Sequence, residues 1–175
     1  LNRTNTSPSS SLTFEESILK LLLLDLRVNP SINDNEILND IINPGEISWF
    51  RNGILILDSD LISDDLTLND HVKNEEIELI NMILNHPNFD PNVGDIITNA
   101  AMNGKYTILK TLLKDRRIDP TINNNYTIKE LLKLLEHNMH PDFLECMIIL
   151  FNDDRVNRSL SSDRRLKSKI VKILK

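Results

Sequence analysis

The sequence is poor in the residues that mark several common classes of protein. It contains one cysteine, Cys146, so no disulfide can form within the chain, and a reducing setting is the simplest interpretation. Its four glycines and its aromatic content of 5% argue against a sheet sandwich or a glycine-rich nucleotide-binding fold. No apolar run approaches the roughly 20 residues that cross a bilayer, and no secretory signal is evident. We therefore expect an intracellular protein that is neither secreted nor transmembrane.

The remaining composition is that of an ordinary globular chain. Of its 175 residues, 40% are hydrophobic and 26% are charged, which is enough for one domain with a continuous core. Leu and Ile occur in short runs with helical spacing, and this pattern predicts an all-α fold. The chain has no Gly-Lys-Ser/Thr string for phosphate and no Gly-X-Ser-X-Gly string for a nucleophile. We do not expect an enzyme.

The most regular stretch runs from Ile97 to Asn125. Ala100 and Ala101 would let a second helix approach closely, and Asn103-Gly104 follows as a tight turn. A short amphipathic helix then leads into a polar loop that ends at Pro120. The order of helix, turn, helix and loop is that of one structural repeat.

Three strings carry a resemblance to a known family. Residues 100–104, 112–120 and 123–125 resemble ankyrin repeats, in the divergent Asn-rich form found in protist and giant-virus proteins. The Thr-Pro-Leu-His opening of better-known ankyrin repeats is absent. The resemblance implies a solenoid of about four degenerate helical repeats closed by a C-terminal capping helix.

The spacing of the loop strings sets the expected number of repeats. Similar strings recur at 24–35, 84–91 and 150–157, and Pro30 and Pro91 are 61 residues apart, against a repeat of about 33. The spacing therefore predicts a worn repeat in this gap, with helices at 36–42 and 46–51, followed by a unit with helices at 66–73 and 75–84. A β-hairpin that turns at residues 51–53 and joins strands at 47–50 and 54–57 is the alternative for residues 43–74.

These elements divide the chain into three parts. Residues 1–12 are polar and are expected to form a flexible lead-in, residues 13–159 the repeat array, and residues 160–175 a basic capping helix. In the last part, Ser162-Asp163 is a capping pair, and Leu166 and Ile170 begin an apolar stripe. Because the first residue is Leu, both a processed chain and an excerpt of a longer one stay open.

The resemblance also implies where a partner would bind. Loop tips and first helices contact the partner in ankyrin-like proteins, so here it implicates Asn33, Asp34, Asn35, Asn92, Asp95, Asn123, Asn124 and Asn125. Asn and Asp also cap helices and fill turn positions, which is the alternative role for each of them.

No metal, cofactor or catalytic site is predicted. His137, His140 and Cys146 are of metal-ligand type, but a fourth ligand is missing, and nothing beside Cys146 marks a nucleophile. The acidic residues 58–65 lack the Gly and the final Glu of a calcium loop.

Charge is distributed unevenly along the chain. The whole chain carries −6, but residues 155–175 hold eight Lys or Arg against Asp163 alone, giving +7 there and −13 elsewhere.

We expect a non-catalytic scaffold or adaptor that binds a protein, either alone or as a component of a viral or cellular assembly. The alternative is a tether to nucleic acid or anionic membrane through the final helix, by Arg164, Arg165, Lys167, Lys169 and Lys172.

Overall fold

The structure is a computed structural model that describes residues 14–42, 50–51, 54–55, 74–137 and 139–175. Across these ranges the chain forms nine helices and one pair of two-residue strands. The helices are α1 (Phe14–Leu23), α2 (Ile32–Ile42), α3 (Asn74–Asn85), α4 (Ile96–Met102), α5 (Tyr106–Leu112), α6 (Ile122–His137), α7 (Pro141–Asn152), α8 (Asp154–Ser159) and α9 (Arg164–Ile173), and the strands are β1 (Phe50–Arg51) and β2 (Ile54–Leu55). The all-α class predicted from the sequence is confirmed.

The helices pack as successive pairs. α2 packs on α3, α4 on α5, and α6 on α7. The first members of the pairs lie side by side, α2 against α4 and α4 against α6, while α1 packs on α3 and α5 on α7. We call residues 24–31, 86–95, 113–121 and 153–159 loops 1 to 4; they follow α1, α3, α5 and α7, and loop 4 contains the short helix α8.

A single hydrophobic core runs through these pairs. α4 lies at its centre and contacts α2, α5, α6 and α7. Ala100 and Ala101 on α4 are completely buried, and their small side chains allow the neighbouring helices to approach closely. The largest fully buried side chains are Leu38, Ile42, Ile80, Ile83, Ile96, Ile108, Leu109, Leu112, Ile128, Leu131, Leu135 and Met147.

The worn repeat that was predicted from the gap between Pro30 and Pro91 does not lie between loops 1 and 2. This prediction is wrong. The Asn88 side-chain amide of loop 2 donates to the carbonyls of Leu26, at 2.8 Å, and Val28, at 2.9 Å, in loop 1. The two loops therefore touch, and α2 and α3 form one pair. An insertion within one pair lengthens the spacing as much as an extra unit would.

The end of the predicted helix at 46–51 is also wrong. Phe50 pairs with Leu55, and Arg51 with Ile54, in an antiparallel ladder. The hairpin alternative places Phe50, Ile54 and Leu55 in strands, as observed, but it assigns Arg51 to the turn, whereas Arg51 is paired. The lead-in of residues 1–12, the acidic residues 58–65 and the predicted helix at 66–73 lie outside the described residues.

The C-terminal helix begins where the sequence predicts. The Asp163 carboxylate accepts a hydrogen bond from the Leu166 backbone N–H at 3.0 Å and so caps α9. Leu166 and Ile170 are buried, and α9 packs against α6. The short helix α8 was not expected, because its residues were assigned to a worn loop.

Gly94 in loop 2 stands where no side chain fits. Its φ is +71°, and a Cβ there would lie 2.4 Å from the carbonyl oxygen of Asp34. Gly104, in the turn between α4 and α5, has a φ of +65°, but its nearest obstacle is the Asp142 Cβ at 3.1 Å. Loop 2 therefore depends on glycine more strictly than the α4–α5 turn does.

We expect Gly94→Ala to lower the free energy of unfolding by about 2 kcal/mol or more, from left-handed strain together with the backbone clash. Urea unfolding followed by circular dichroism at 222 nm measures this change. Gly104→Ala is the matched control and should cost less, about 1 kcal/mol. Equal stability of Gly94→Ala and the wild type would contradict the close approach of loop 2 to Asp34.

Candidate partner-binding surface

An Asp and an Arg two residues apart shape three of the four loops. The Asp115 carboxylate accepts a hydrogen bond from the Arg117 backbone N–H at 2.9 Å and pairs with its guanidinium at 2.6 Å. Asp153 and Arg155 repeat this geometry in loop 4, with 2.9 Å and 2.7 Å. Asp25 and Arg27 repeat it in loop 1. The turn fixes the backbone and aims each guanidinium.

In loops 3 and 4 the aimed guanidinium reaches back to the preceding pair. Arg117 donates to the Leu84 carbonyl at the end of α3. Arg155 donates to the Ile118 carbonyl at 2.6 Å and to the Leu113 carbonyl at 3.0 Å. The Leu84 and Leu113 carbonyls lie where α3 and α5 end, so these bonds satisfy acceptors that the helix leaves open. Each loop is thereby held in register with the one before it.

Loop 2 achieves the same contact with different residues. His86 occupies the Asp position, and its Nδ1 accepts a hydrogen bond from the Asn88 backbone N–H at 3.2 Å. Its Nε2 lies 3.3 Å from the Asp25 carbonyl oxygen. Asn88 takes the place of the Arg through its two bonds to loop 1. We call these Arg and Asn bonds to the preceding loop or helix end the loop clamps.

The clamps lower the pKa of the Asp115 and Asp153 carboxyl groups. The Arg117 side-chain hydrogen bond is the main cause that holds the pKa of Asp115 below its usual value. Burial by itself raises the pKa of Asp153, but the hydrogen bonds and charge of Arg155 outweigh it, so that this pKa is also lowered. Both clamps therefore favour the ionised carboxylate.

The first residues of α2 and α6, 32–35 and 122–125, directly follow loops 1 and 3 and share an unusual backbone; we call them the tips of these loops. Asn33, Asp34 and Asn35 all have positive φ, from 51° to 62°. Residues 123–125 at the start of α6 do the same, with φ from 51° to 60°. Three successive left-handed residues are costly for most side chains, and Asn and Asp tolerate this conformation best after glycine. The Asn-rich composition of these tips is therefore required by the backbone.

The left-handed turn leaves some of the predicted partner-binding residues exposed and buries others. Asn33, Asp34, Asn123 and Asn124 are exposed. Asn35 is fully buried, and its amide donates to the Asp90 and Val93 carbonyls of loop 2. Asn125 is likewise buried, and its amide donates to the Ser159 hydroxyl at 2.8 Å. Asn35 and Asn125 thus hold neighbouring loops together, and we exclude them from the surface that faces a partner.

Three of the predicted residues lie around one cleft between loops 2 and 3. Asn92 and Asp95 line it from loop 2, and Asn123 lines it from the start of α6. Asp95 also caps α4 by accepting a hydrogen bond from the Thr98 backbone N–H at 3.2 Å. Ile122 joins the lining and is exposed, as is Ile32 at the matching place in the tip of loop 1. Neither isoleucine is among the predicted site residues, although each directly precedes an Asn-rich triplet.

The predicted anionic-surface residues are only partly available. Arg164, Arg165 and Lys172 on α9 are exposed. Lys167 donates to the Asn157 side chain at 2.7 Å and lies 6.0 Å from the centre of the Phe151 ring. Lys169 pairs with Glu136 at 3.5 Å. Two of the five positive charges are thus engaged within the molecule.

The residues of metal-ligand type have separate surroundings. Cys146 is buried in the core, and His137 is exposed at the end of α6. His140 caps α7 through its Nδ1, which accepts from the Asp142 backbone N–H at 3.3 Å. Within the described ranges no three His, Cys, Asp or Glu side chains converge on one point. The same ranges contain no helix with the length and apolar character to cross a membrane.

Comparison with known proteins gave no match: no family model, no curated protein and no solved structure is significantly similar to this chain.

Removing the clamps should destabilise the protein in proportion to their burial. The Arg155 side chain is 15% exposed, that of Arg117 is 50% exposed, and that of Arg27 is 90% exposed. We expect Arg155→Ala to lower the free energy of unfolding by about 2 to 3 kcal/mol and Arg117→Ala by about 1 kcal/mol. Arg27→Ala is the control and should cause no measurable change in urea unfolding. Equal effects at all three positions would contradict the clamps.

Acid should weaken the clamps. Since the folded pKa of Asp115 and Asp153 lies below the unfolded value of about 4, the unfolded chain binds more protons there, and stability increases with pH in this range. We expect the clamp contribution to be complete above about pH 5 and to be lost as the pH falls below about 4. Asp153→Asn should flatten this dependence in urea unfolding. A dependence equal to the wild type's would refute the role of Asp153.

Proposed function

We propose that the chain is a non-catalytic, ankyrin-like interaction scaffold that binds a protein partner through its loop tips. The observation that carries this proposal is the series of clamps, by which loops 2 and 4 bond to the loop before and loop 3 bonds to the end of α3. A clamped loop loses little conformational entropy on binding, which is the general advantage of a preorganised surface. The pairing of helices along the stack agrees with a repeat solenoid.

The chemistry of the tips favours a protein over a small molecule or nucleic acid. Each tip presents an exposed isoleucine, Ile32 or Ile122, followed by exposed Asn or Asp side chains. Apolar area beside amides that both donate and accept suits a peptide or protein surface. A groove for nucleic acid would instead be basic, whereas the tip of loop 1 carries the negative Asp34 and the neighbouring cleft Asp95.

In this proposal α9 acts as the cap of the stack. Its buried Leu166 and Ile170 cover α6, and Lys169 and Lys167 bond to neighbours within the molecule. Terminal repeats need such a polar outer face. The buried Cys146 and the lack of other cysteines agree with an intracellular location, which is part of the proposal.

The test is affinity purification from the native source with matched surface variants, at low and high salt. We expect the wild type to retain a protein at high salt, and Ile32→Ser with Ile122→Ser to lose it. Neither substitution replaces a residue whose backbone is left-handed. Met139→Ser is the control, because Met139 is also exposed and apolar but lies in the α6–α7 connection, away from the loops. Binding that is unaffected by the tip variant would contradict the proposed surface.

The comparison of low with high salt tests the alternative function, a tether to nucleic acid or anionic membrane. Phosphate contacts release counterions, so binding to nucleic acid or anionic lipid falls steeply as salt rises. Recovery of nucleic acid or lipid alone, lost at high salt, would overturn the scaffold and favour the exposed Arg164, Arg165 and Lys172.

A further inference from the structure

Helix α1 has two apolar faces, but the described structure covers only one of them. Leu23 is buried in the core, and α1 packs on α3. On the other side Ile18, Leu21 and Leu22 are exposed by 41%, 69% and 51%. Leu24 and Leu26 of loop 1 are also exposed, but they line a cleft with α3. We call Ile18, Leu21 and Leu22 the outer face of α1.

The same positions are buried elsewhere in this chain. Counted back from the Asp of the loop, Ile18, Leu21 and Leu22 before Asp25 correspond to Ile108, Thr111 and Leu112 before Asp115. The exposures of these α5 residues are only 1%, 6% and 0%. The difference lies in the neighbours, because α5 follows another pair and has its own first helix, α4, packed against it. α1 has the sequence of an inner helix.

Arg27 likewise has the local geometry of its counterparts in loops 3 and 4, but its side chain is far more exposed than theirs. Asp25 holds it in the clamp geometry, with its Nε 2.9 Å from one carboxylate oxygen and its Nη2 2.6 Å from the other. Yet Arg27 is 90% exposed, and within the described residues its only hydrogen-bond partner is Asp25. Its counterparts Arg117 and Arg155 use the same geometry to reach the carbonyls of a preceding pair. Arg27 is therefore aimed at a position where those two copies find a helix end.

We infer that the outer face of α1 and Arg27 dock a further helix–loop unit of the same kind as those inside this chain. The unit would place a first helix on α1, as α4 lies on α5. It would also supply a preceding second helix, whose final carbonyls accept Arg27 as Leu84 accepts Arg117. This surface lies at the end of the stack and is distinct from the loop tips.

Charge disfavours the simplest other occupant. A second copy packed through the same face around a two-fold axis would bring two outer faces and two Arg27 guanidiniums together. Like charges at such a junction repel, whereas a helix C-terminus is negative and complements Arg27. A helix end is therefore the better match.

A graft tests this inference with a unit taken from the chain itself. Residues 74–105 supply α3, loop 2, α4 and the Asn-Gly turn, which are the neighbours that Arg117 and α5 have. Joining Lys105 directly to Glu16 places α1 where α5 stands in the native order, because Glu16 precedes Asp25 by nine residues, as Tyr106 precedes Asp115. Thermal unfolding is then measured for the grafted and the original full chain, each with and without Arg27→Ala.

We expect the graft to raise the melting temperature by roughly 5 °C or more, because it buries the outer face of α1. Arg27→Ala should reverse part of that rise in the grafted chain and leave the melting temperature of the original chain unchanged. The Leu21→Lys substitution should likewise lower only the grafted chain's melting temperature. An effect of Arg27→Ala that is the same in both chains would overturn the inference.

Sedimentation of the original full chain provides the second arm. A monomer over the micromolar range agrees with a surface that awaits a repeat unit. Concentration-dependent self-association that Leu21→Lys abolishes would overturn the inference in favour of a second copy.

Discussion

The hydrogen bonds from loops 2, 3 and 4 to carbonyls of the preceding loop or helix end are the constraint on which the rest of the structure depends. Helix pairs can slide against each other, since apolar packing is largely non-directional. Arg155 on the Ile118 and Leu113 carbonyls, and Asn88 on loop 1, remove that freedom by directional bonds. The loops therefore keep a fixed register, and the tips that they present form one surface.

The two Asn-rich tips show how local backbone and function share residues. The left-handed conformation demands Asn or Asp at all three positions, as at residues 33–35. The turn then buries the third residue, Asn35, against loop 2 and leaves the first two exposed. One string of similar amides thus provides both the bond that locks the loop and the side chains that face outward.

Much of this could be predicted from the sequence, but spacing and burial could not. Helical periodicity and the Asp163 cap correctly placed the last helix. The distance from Pro30 to Pro91 led to the prediction of an additional repeat. That prediction was wrong, because a residue count does not distinguish an insertion within a pair from an extra repeat. Asn35 and Asn33 look alike in sequence, and only the folded turn shows which one is buried. The recurring Asp-X-Arg at 25, 115 and 153 was a visible signal of the clamps, but its partners are carbonyls, which a sequence does not mark.

The most direct test of the loop register is an NMR measurement between loops 1 and 2. The account predicts nuclear Overhauser contacts from the Asn88 side-chain amide to Leu26 and Val28, whose carbonyl oxygens lie 2.8 Å and 2.9 Å from its nitrogen. An intervening helix pair would separate the loops by roughly 10 Å, too far for such contacts. Their presence would establish that α2 and α3 form one unit of a clamped stack. Their absence in a fully assigned spectrum would contradict the register and, with it, the surface proposed for partner binding.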